Sequence, residues 1–239
     1  MQKIYLIPNT LGETSLEKSF PPYNLEIIKS IQHFAVESEK SARKFLKSCG
    51  ILPPFSGISL YVLDKRTKAD ELNKIFESSQ GGDIGILSEA GCPGIADPGS
   101  NLVLAAYQRD WKVIPLVGPS SILLAIMASG LNGQGFTFHG YLPVSGNERL
   151  ITLRALENNS AESGNTEIFI ETPFRNEHLF NDILKACKQN TLLSIACDIT
   201  LPTEEIRTLS IEQWRKMKVD LKGRQAIFSL LAGRAKYRK

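Results

Sequence analysis

Along the first half of the chain, short apolar runs alternate with stretches in which apolar residues recur every three or four positions. Lys3 to Ile7 is one such run, ended by Pro8, and His33 to Val36 is a second. Between Glu39 and Ser48 the residues Ala42, Phe45 and Leu46 share one helical face. Leu72, Ile75 and Phe76 do the same between Ala69 and Ser78. Ile58 to Leu63 is rich in β-forming residues. Gly81-Gly82-Asp83 stops the second helix and turns the chain into the strand Ile84 to Leu87. Pro98 to Arg109 then predicts a helix and Lys112 to Val117 a further strand. Strands separated by single helices predict a mostly parallel sheet covered on both faces.

At Gly118-Pro119-Ser120-Ser121 the pattern restarts. The following ILLAIMA is apolar all round, which predicts a helix buried between layers. Phe136 to Leu142 alternates as a strand should, and Pro143 and Gly146 break it before a helix from about Asn147 to Leu156. The polar stretch Glu157 to Asn165 predicts a solvated loop. Three more strands follow at Glu167 to Glu171, Leu192 to Ile199 and Gln225 to Leu231, with a helix from Asn176 to about Lys188 between the first two. This half reads as a mixed sheet of its own. The expected fold class is therefore α/β, with two α/β domains at 1–117 and 118–239. No Gly/Ser linker separates them, so close packing around a cleft is expected.

Composition supports this without adding to it. A chain of 239 residues with 42% hydrophobic residues supplies enough apolar surface for two cores. The net charge of +3 is too small to identify a polyanionic partner. Ile4 to Ile7 is too short for a signal-peptide core, and the longest apolar run, Ile122 to Ala128, is too short to span a bilayer. A soluble, cytoplasmic protein with no membrane partner is the expectation. Cys49, Cys92, Cys187 and Cys197 form no CxxC pair, which predicts reduced, mostly buried thiols. His33, His139 and His178 share no ligand spacing, so structural or surface roles are expected and no metal is assigned.

In a parallel sheet, ligands gather at the carboxyl ends of strands. Five unusual segments follow predicted strands: PNTLG at 8–12, SEAGCPGIADPG at 88–99, GPSS at 118–121, GYLP at 140–143 and ETPFR at 171–175. Any one alone could be only a turn. Gly91, Gly94 and Gly99 let backbone approach a ligand, and Glu89 and Asp97 offer acceptors for ribose hydroxyls. There is no GxxxxGK[ST], and Gly130, Gly133 and Gly135 miss the GxGxxG spacing. A nucleoside-bearing ligand without a pyrophosphate fits better than ATP or NAD. S-adenosylmethionine is such a ligand.

The loop SEAGCPGIADPG resembles SDAGTPLISDPG, the signature of the tetrapyrrole methylase superfamily in its branch that methylates a cytidine ribose in small-subunit ribosomal RNA. In the same order along the chain, IPNTLG resembles VPTPIGN, VESEKSARKFLKSCGI resembles AEDTRxTRKLLxxxGI, and IPLVGPSS resembles IPGPSA. FHGYLP resembles FxGFLP, and ETPFR resembles ESPHR. The resemblance implies two α/β domains of the tetrapyrrole methylase type, S-adenosylmethionine in the cleft between them, and a homodimer. It assigns cofactor binding to Pro8, Glu89, Gly91, Pro93, Ile95, Ala96, Asp97, Ser120, Ser121, Tyr141, Leu142 and Thr172. Departures are local. Glu89 replaces Asp, Gly94 replaces Leu, and Ser38, Glu39 and Lys40 stand where the family has Asp-Thr-Arg. The branch's extra C-terminal domain has no counterpart in this sequence.

The resemblance implies a methyltransferase acting on a ribose 2'-hydroxyl of 16S ribosomal RNA, with ribosomal RNA or the small subunit as partner. In-line methyl transfer depends on positioning, and a weakly acidic hydroxyl benefits from a general base. Glu37 and Glu171 are the candidate catalytic carboxylates; solvated or capping carboxylates are the alternative reading of both. A small-molecule methyltransferase acting on a corrin or porphyrin, and a non-catalytic binder of the cofactor, remain as rival readings. The basic tail GRAKYRK, with Arg234, Lys236, Arg238 and Lys239 around Tyr237, is either a phosphate grip or a solvated terminus.

Overall fold

The computed structural model describes residues 1–64 and 66–233. The basic tail from Arg234 onward lies outside the described residues. The chain divides into two compact units, Met1–Ser120 and Ser121–Lys239.

The first unit is built from β1 (Lys3–Ile7), α1 (Pro22–Ser30), β2 (His33–Val36), α2 (Glu39–Ser48), β3 (Ser59–Val62), α3 (Ala69–Ser78), β4 (Ile84–Leu87), α4 (Ser100–Tyr107) and β5 (Lys112–Pro115). Its five strands are all parallel, in the order β3-β2-β4-β1-β5. The central strand β4 is buried at every position, as expected when helices cover both faces. One face packs Phe34, Ile28, Phe45 and Leu46, and the other packs Ile84, Leu102, Phe76 and Trp111. Each large apolar side chain so buried contributes about 1.5–3 kcal/mol. Phe76 and Trp111 meet edge to face with centroids 5.0 Å apart.

The second unit contains α5 (Ser121–Ser129), β6 (Phe136–Tyr141), α6 (Gly146–Ser163), β7 (Thr166–Ile170), α7 (Asn176–Ala186), β8 (Leu192–Cys197), β9 (Glu205–Ser210), α8 (Ile211–Trp214) and β10 (Ala226–Leu231). Its sheet has the order β6-β7-β10-β8-β9 and is mixed: β6 and β7 are parallel and the remaining pairs antiparallel. Phe169 and Phe228 are directly paired across β7 and β10, and their rings stack with centroids 6.0 Å apart. The indole of Trp214 donates to the Leu193 carbonyl at 2.8 Å, so its polar edge is satisfied inside the core.

The structure corrects two expectations. Glu157 to Asn165 is not a solvated loop: α6 continues to Ser163 and ends at Gly164, whose φ of +74° supplies the left-handed cap. Its polar residues serve the interior. Buried Glu157 accepts from the Lys188 amide at 2.7 Å and from the Thr191 hydroxyl. Fully buried Ser160 accepts from the Ala232 amide at 2.9 Å and donates to the Asn165 carbonyl at 2.7 Å. The apolar helix α5 is not buried all round either, because Leu123 and Met127 are 51% and 76% exposed. Three elements carry no strong periodic signal: α1, which opens on Pro22, the polar edge strand β9, and the single turn α8.

Among the described residues no helix is long and apolar enough to cross a membrane. Three cysteines are buried and Cys92 is half-buried, and none is in a disulfide.

Candidate functional site

In the first unit the chain leaves β2 toward the edge strand β3, but leaves β4 toward β5, beyond β1. The loops after these two neighbours therefore diverge, which opens a crevice at their carboxyl ends. Val36 and Glu37 line it from β2, Leu63 from the end of β3, Leu87 from β4, and Asp97 and Gly99 from the loop that follows. It is shallow and open to solvent rather than an enclosed cavity. The Glu37 side chain is exposed at this crevice.

Three of the five strand-end segments are knitted together beside the crevice. Asn9 and Gly91 exchange backbone hydrogen bonds at 2.9 and 3.1 Å, and the Asn9 side-chain amide donates to the carbonyls of Ser88 and Glu89. The Cys92 thiol donates to the Pro119 carbonyl at 3.4 Å. Gly118 approaches Pro8 so closely that a Cβ there would stand 2.2 Å from the ring, so only glycine fits. Asn9 is the brace that sequence reasoning missed. Its place in PNTLG was visible, but its reach of 79 residues to Ser88 was not.

Within the loop 88–99 the backbone turns left-handed at Gly91, Gly94 and also Ala96, whose φ is +62°. A non-glycine residue held there stores strain, a feature that clusters at ligand sites. The Asp97 carboxylate accepts from the Gly94 and Gly99 amides at 2.6 and 3.0 Å, so it closes its own turn at the start of α4. Glu89, Ile95 and Ala96 are exposed on this loop, whereas Pro8, Gly91 and Pro93 are buried beneath it and Ser120 is half-buried. None of PNTLG, SEAGCPGIADPG and GPSS contains a lysine or arginine. Carboxylates without lysine or arginine suit a cationic sulfonium and ribose hydroxyls, and disfavour a phosphate. A Cβ at Gly94 would meet nothing within 4 Å, so the loop has open space beside it.

The remaining predicted residues belong to the second unit. Ser121 begins α5, and Tyr141 ends β6 with its ring exposed. Leu142 is a core residue packed with Leu153 and Leu156, so its side chain anchors the GYLP loop. Glu171 also differs from expectation. Its side chain is 1% exposed, and one oxygen accepts from the Thr172 amide at 2.6 Å and from Arg175 at 2.7 and 3.0 Å. Arg149 lies 3.9 Å from its other oxygen and bonds Asp182 through Nε at 2.8 Å. This buried network was invisible in sequence because Arg149 and Asp182 are 33 residues apart.

In the disputed segment VESEK, Ser38 caps α2 by accepting from the Ser41 amide. Of the histidines, His33 stacks on Tyr61, while His139 bonds the buried Glu167 carboxylate. His178 is exposed on α7. Among the described residues no group of three or more His, Cys, Asp or Glu side chains is arranged to hold a metal.

No family model matches the chain. Among curated proteins it is 31% identical over 214 residues to the ribosomal RNA small subunit methyltransferase I of Pasteurella multocida, covering 88% of this chain and 72% of that protein. The namesakes from Buchnera aphidicola and Vibrio cholerae are 29% and 28% identical, over 94% and 88% of this chain and 77% and 69% of theirs. Among solved structures, the methyltransferase CobJ matches with a TM-score of 0.63 at 16% identity, covering 97% of this chain and 93% of that one. Diphthine synthase matches at 0.65 and 14%, covering 97% and 90%. These structural matches establish the fold as that of the tetrapyrrole methylases. With a relative of 31% identity matched over 72% of its length, and with the strand-end loops assembled as described, the chain belongs to the ribosomal RNA small subunit methyltransferase I family.

Proposed function

We propose that the protein transfers a methyl group from S-adenosylmethionine to a ribose 2'-hydroxyl of small-subunit ribosomal RNA. The observation that carries this reading is the exposed Glu37 carboxylate on the crevice at the carboxyl ends of β2 and β4, beside loops free of basic residues. S-adenosylmethionine, when bound, supplies an electrophilic methyl group on a sulfonium. Backbone of Ile95 and Ala96 and the Glu89 side chain would hold the nucleoside, with Pro8, Gly91, Pro93 and Ser120 forming the support.

Alignment of the ribose oxygen with the methyl group provides most of the acceleration. Glu37 accepts the hydroxyl proton as the oxygen attacks. Glu171 and Asp97 each accept hydrogen bonds from the turn that carries them, so they position those loops. We further propose a cytoplasmic homodimer. Leu123 and Met127 on α5 and Leu104 and Tyr107 on α4 are exposed, and a second copy would cover apolar surface of this kind.

The test is transfer of labelled methyl groups to isolated small ribosomal subunits and to their RNA, followed by mapping of ribose methylation. Label on a ribose is expected. No transfer to either acceptor refutes the proposal, and transfer to a corrin or porphyrin precursor instead selects the small-molecule reading. Glu37→Gln should lower kcat about 10²- to 10⁴-fold while leaving cofactor affinity unchanged. Full activity in that variant removes Glu37 from the mechanism.

A further inference from the structure

After β7 the chain makes a turn built on a buried carboxylate. The Glu171 carboxylate fixes Thr172 and Arg175, the Gly223 amide donates to the Pro173 carbonyl at 3.1 Å, and the Asn176 side chain donates to the Arg224 carbonyl at 2.7 Å. Backbone on both sides of Phe174 is thus pinned, yet Phe174 itself is 84% exposed. A slack loop would fold such a ring against the protein to remove it from water. This turn holds it out.

The surroundings indicate what the ring meets. Lys222 is exposed and adjoins Gly223, and the Arg175 side chain is 37% exposed. Tyr141, 54% exposed, ends β6, the parallel neighbour of β7. Neither Arg175 nor Arg224 adds a free charge to this group, since Glu171 holds the first and Asp198 and Glu205 hold the second. A braced aromatic ring near an exposed lysine, with a second aromatic at the end of the adjoining strand, has the composition of a surface that stacks unpaired bases and neutralises a phosphate.

Resting on the reading of the chain as an RNA methyltransferase, we infer that Phe174 stacks on an unpaired base of the RNA acceptor, with Lys222 on an adjoining phosphate. Phe174 contributes to acceptor affinity and not to the methyl-transfer step.

The test uses the full chain and three variants: Phe174→Ala, Phe174→Trp and Lys222→Gln. A fluorescein-labelled single-stranded oligoribonucleotide of about 12 nucleotides is titrated at fixed salt, and methyl transfer to small-subunit RNA is measured in parallel. Phe174→Ala should weaken oligonucleotide binding roughly 5- to 150-fold and raise KM for RNA, with kcat and cofactor affinity retained. Phe174→Trp should restore binding, and Lys222→Gln should flatten the salt dependence by about 0.7 in slope. Wild-type oligonucleotide affinity in Phe174→Ala overturns the inference, as does a change of oligomeric state in its place. If the wild-type protein methylates no ribosomal RNA, the parent reading fails, while the titration still decides whether the ring stacks on bases.

Discussion

The contact between Pro8 and Gly118 sets the spacing of two strand-end loops, and Gly118→Ala tests it. The added Cβ would lie 2.2 Å from Pro8 Cγ and 2.4 Å from Pro8 Cβ. Carbon atoms settle near 3.5–4.0 Å, so an overlap of more than about 1 Å must be relieved. A proline ring is closed on its own backbone and cannot rotate away. Displacement therefore passes into the GPSS segment, and from the Pro119 carbonyl to Cys92 on the glycine-rich loop. Overpacking of this size costs about 1–3 kcal/mol of stability. A misplacement near 1 Å at a reacting centre costs on the order of 10²-fold in rate. Urea denaturation and methyl-transfer kinetics measure the two effects, calorimetric titration with S-adenosylmethionine reports the binding loops directly, and stability, rate and cofactor affinity should all fall. Adding Pro8→Gly removes the clashing ring atoms, so the double variant should recover part of the loss, with a coupling of at least about 0.5 kcal/mol. Wild-type stability and cofactor affinity in Gly118→Ala would refute the claim that these loops are locked together.

Two further predictions concern the interior. Arg149→Ala strands Asp182 and Glu171 without their buried guanidinium and should cost about 3–5 kcal/mol by urea denaturation; a loss below about 1 kcal/mol would show that the network is not structural. Burial pushes the thiols of Cys49 and Cys187 up to about 12 and that of Cys197 up to about 11. Each stays neutral when folded. Its contribution is complete below the unfolded thiol value of about 8.5 and is lost as pH rises toward the folded values. Stability should decline on the alkaline side, and at pH 8 a thiol reagent should label these three cysteines only on unfolding. Rapid labelling of any of them in the folded protein contradicts the assignment.

The inner strands β1, β2 and β4 were legible because buried parallel strands are short apolar runs, and α2 and α3 because their apolar residues repeat at helical spacing. The end of α6 was not legible, since polarity at Glu157 and Ser160 reads as solvent exposure unless the distant Lys188, Thr191 and Ala232 are known to meet them. The same limit applied to α5, whose composition says that it is apolar but not which side is covered.

The sequence by itself determined the alternation of strands and helices, the restart after Val117, and a loop chemistry of glycines and carboxylates without basic residues. These are local properties of residues and spacing. Tertiary structure decided where each carboxylate stands. Glu37 opens on a crevice, Asp97 closes its own turn, and Glu171 is buried among arginines. A carboxylate's role depends on the donors that reach it, and those donors come from chain segments whose proximity only folding creates.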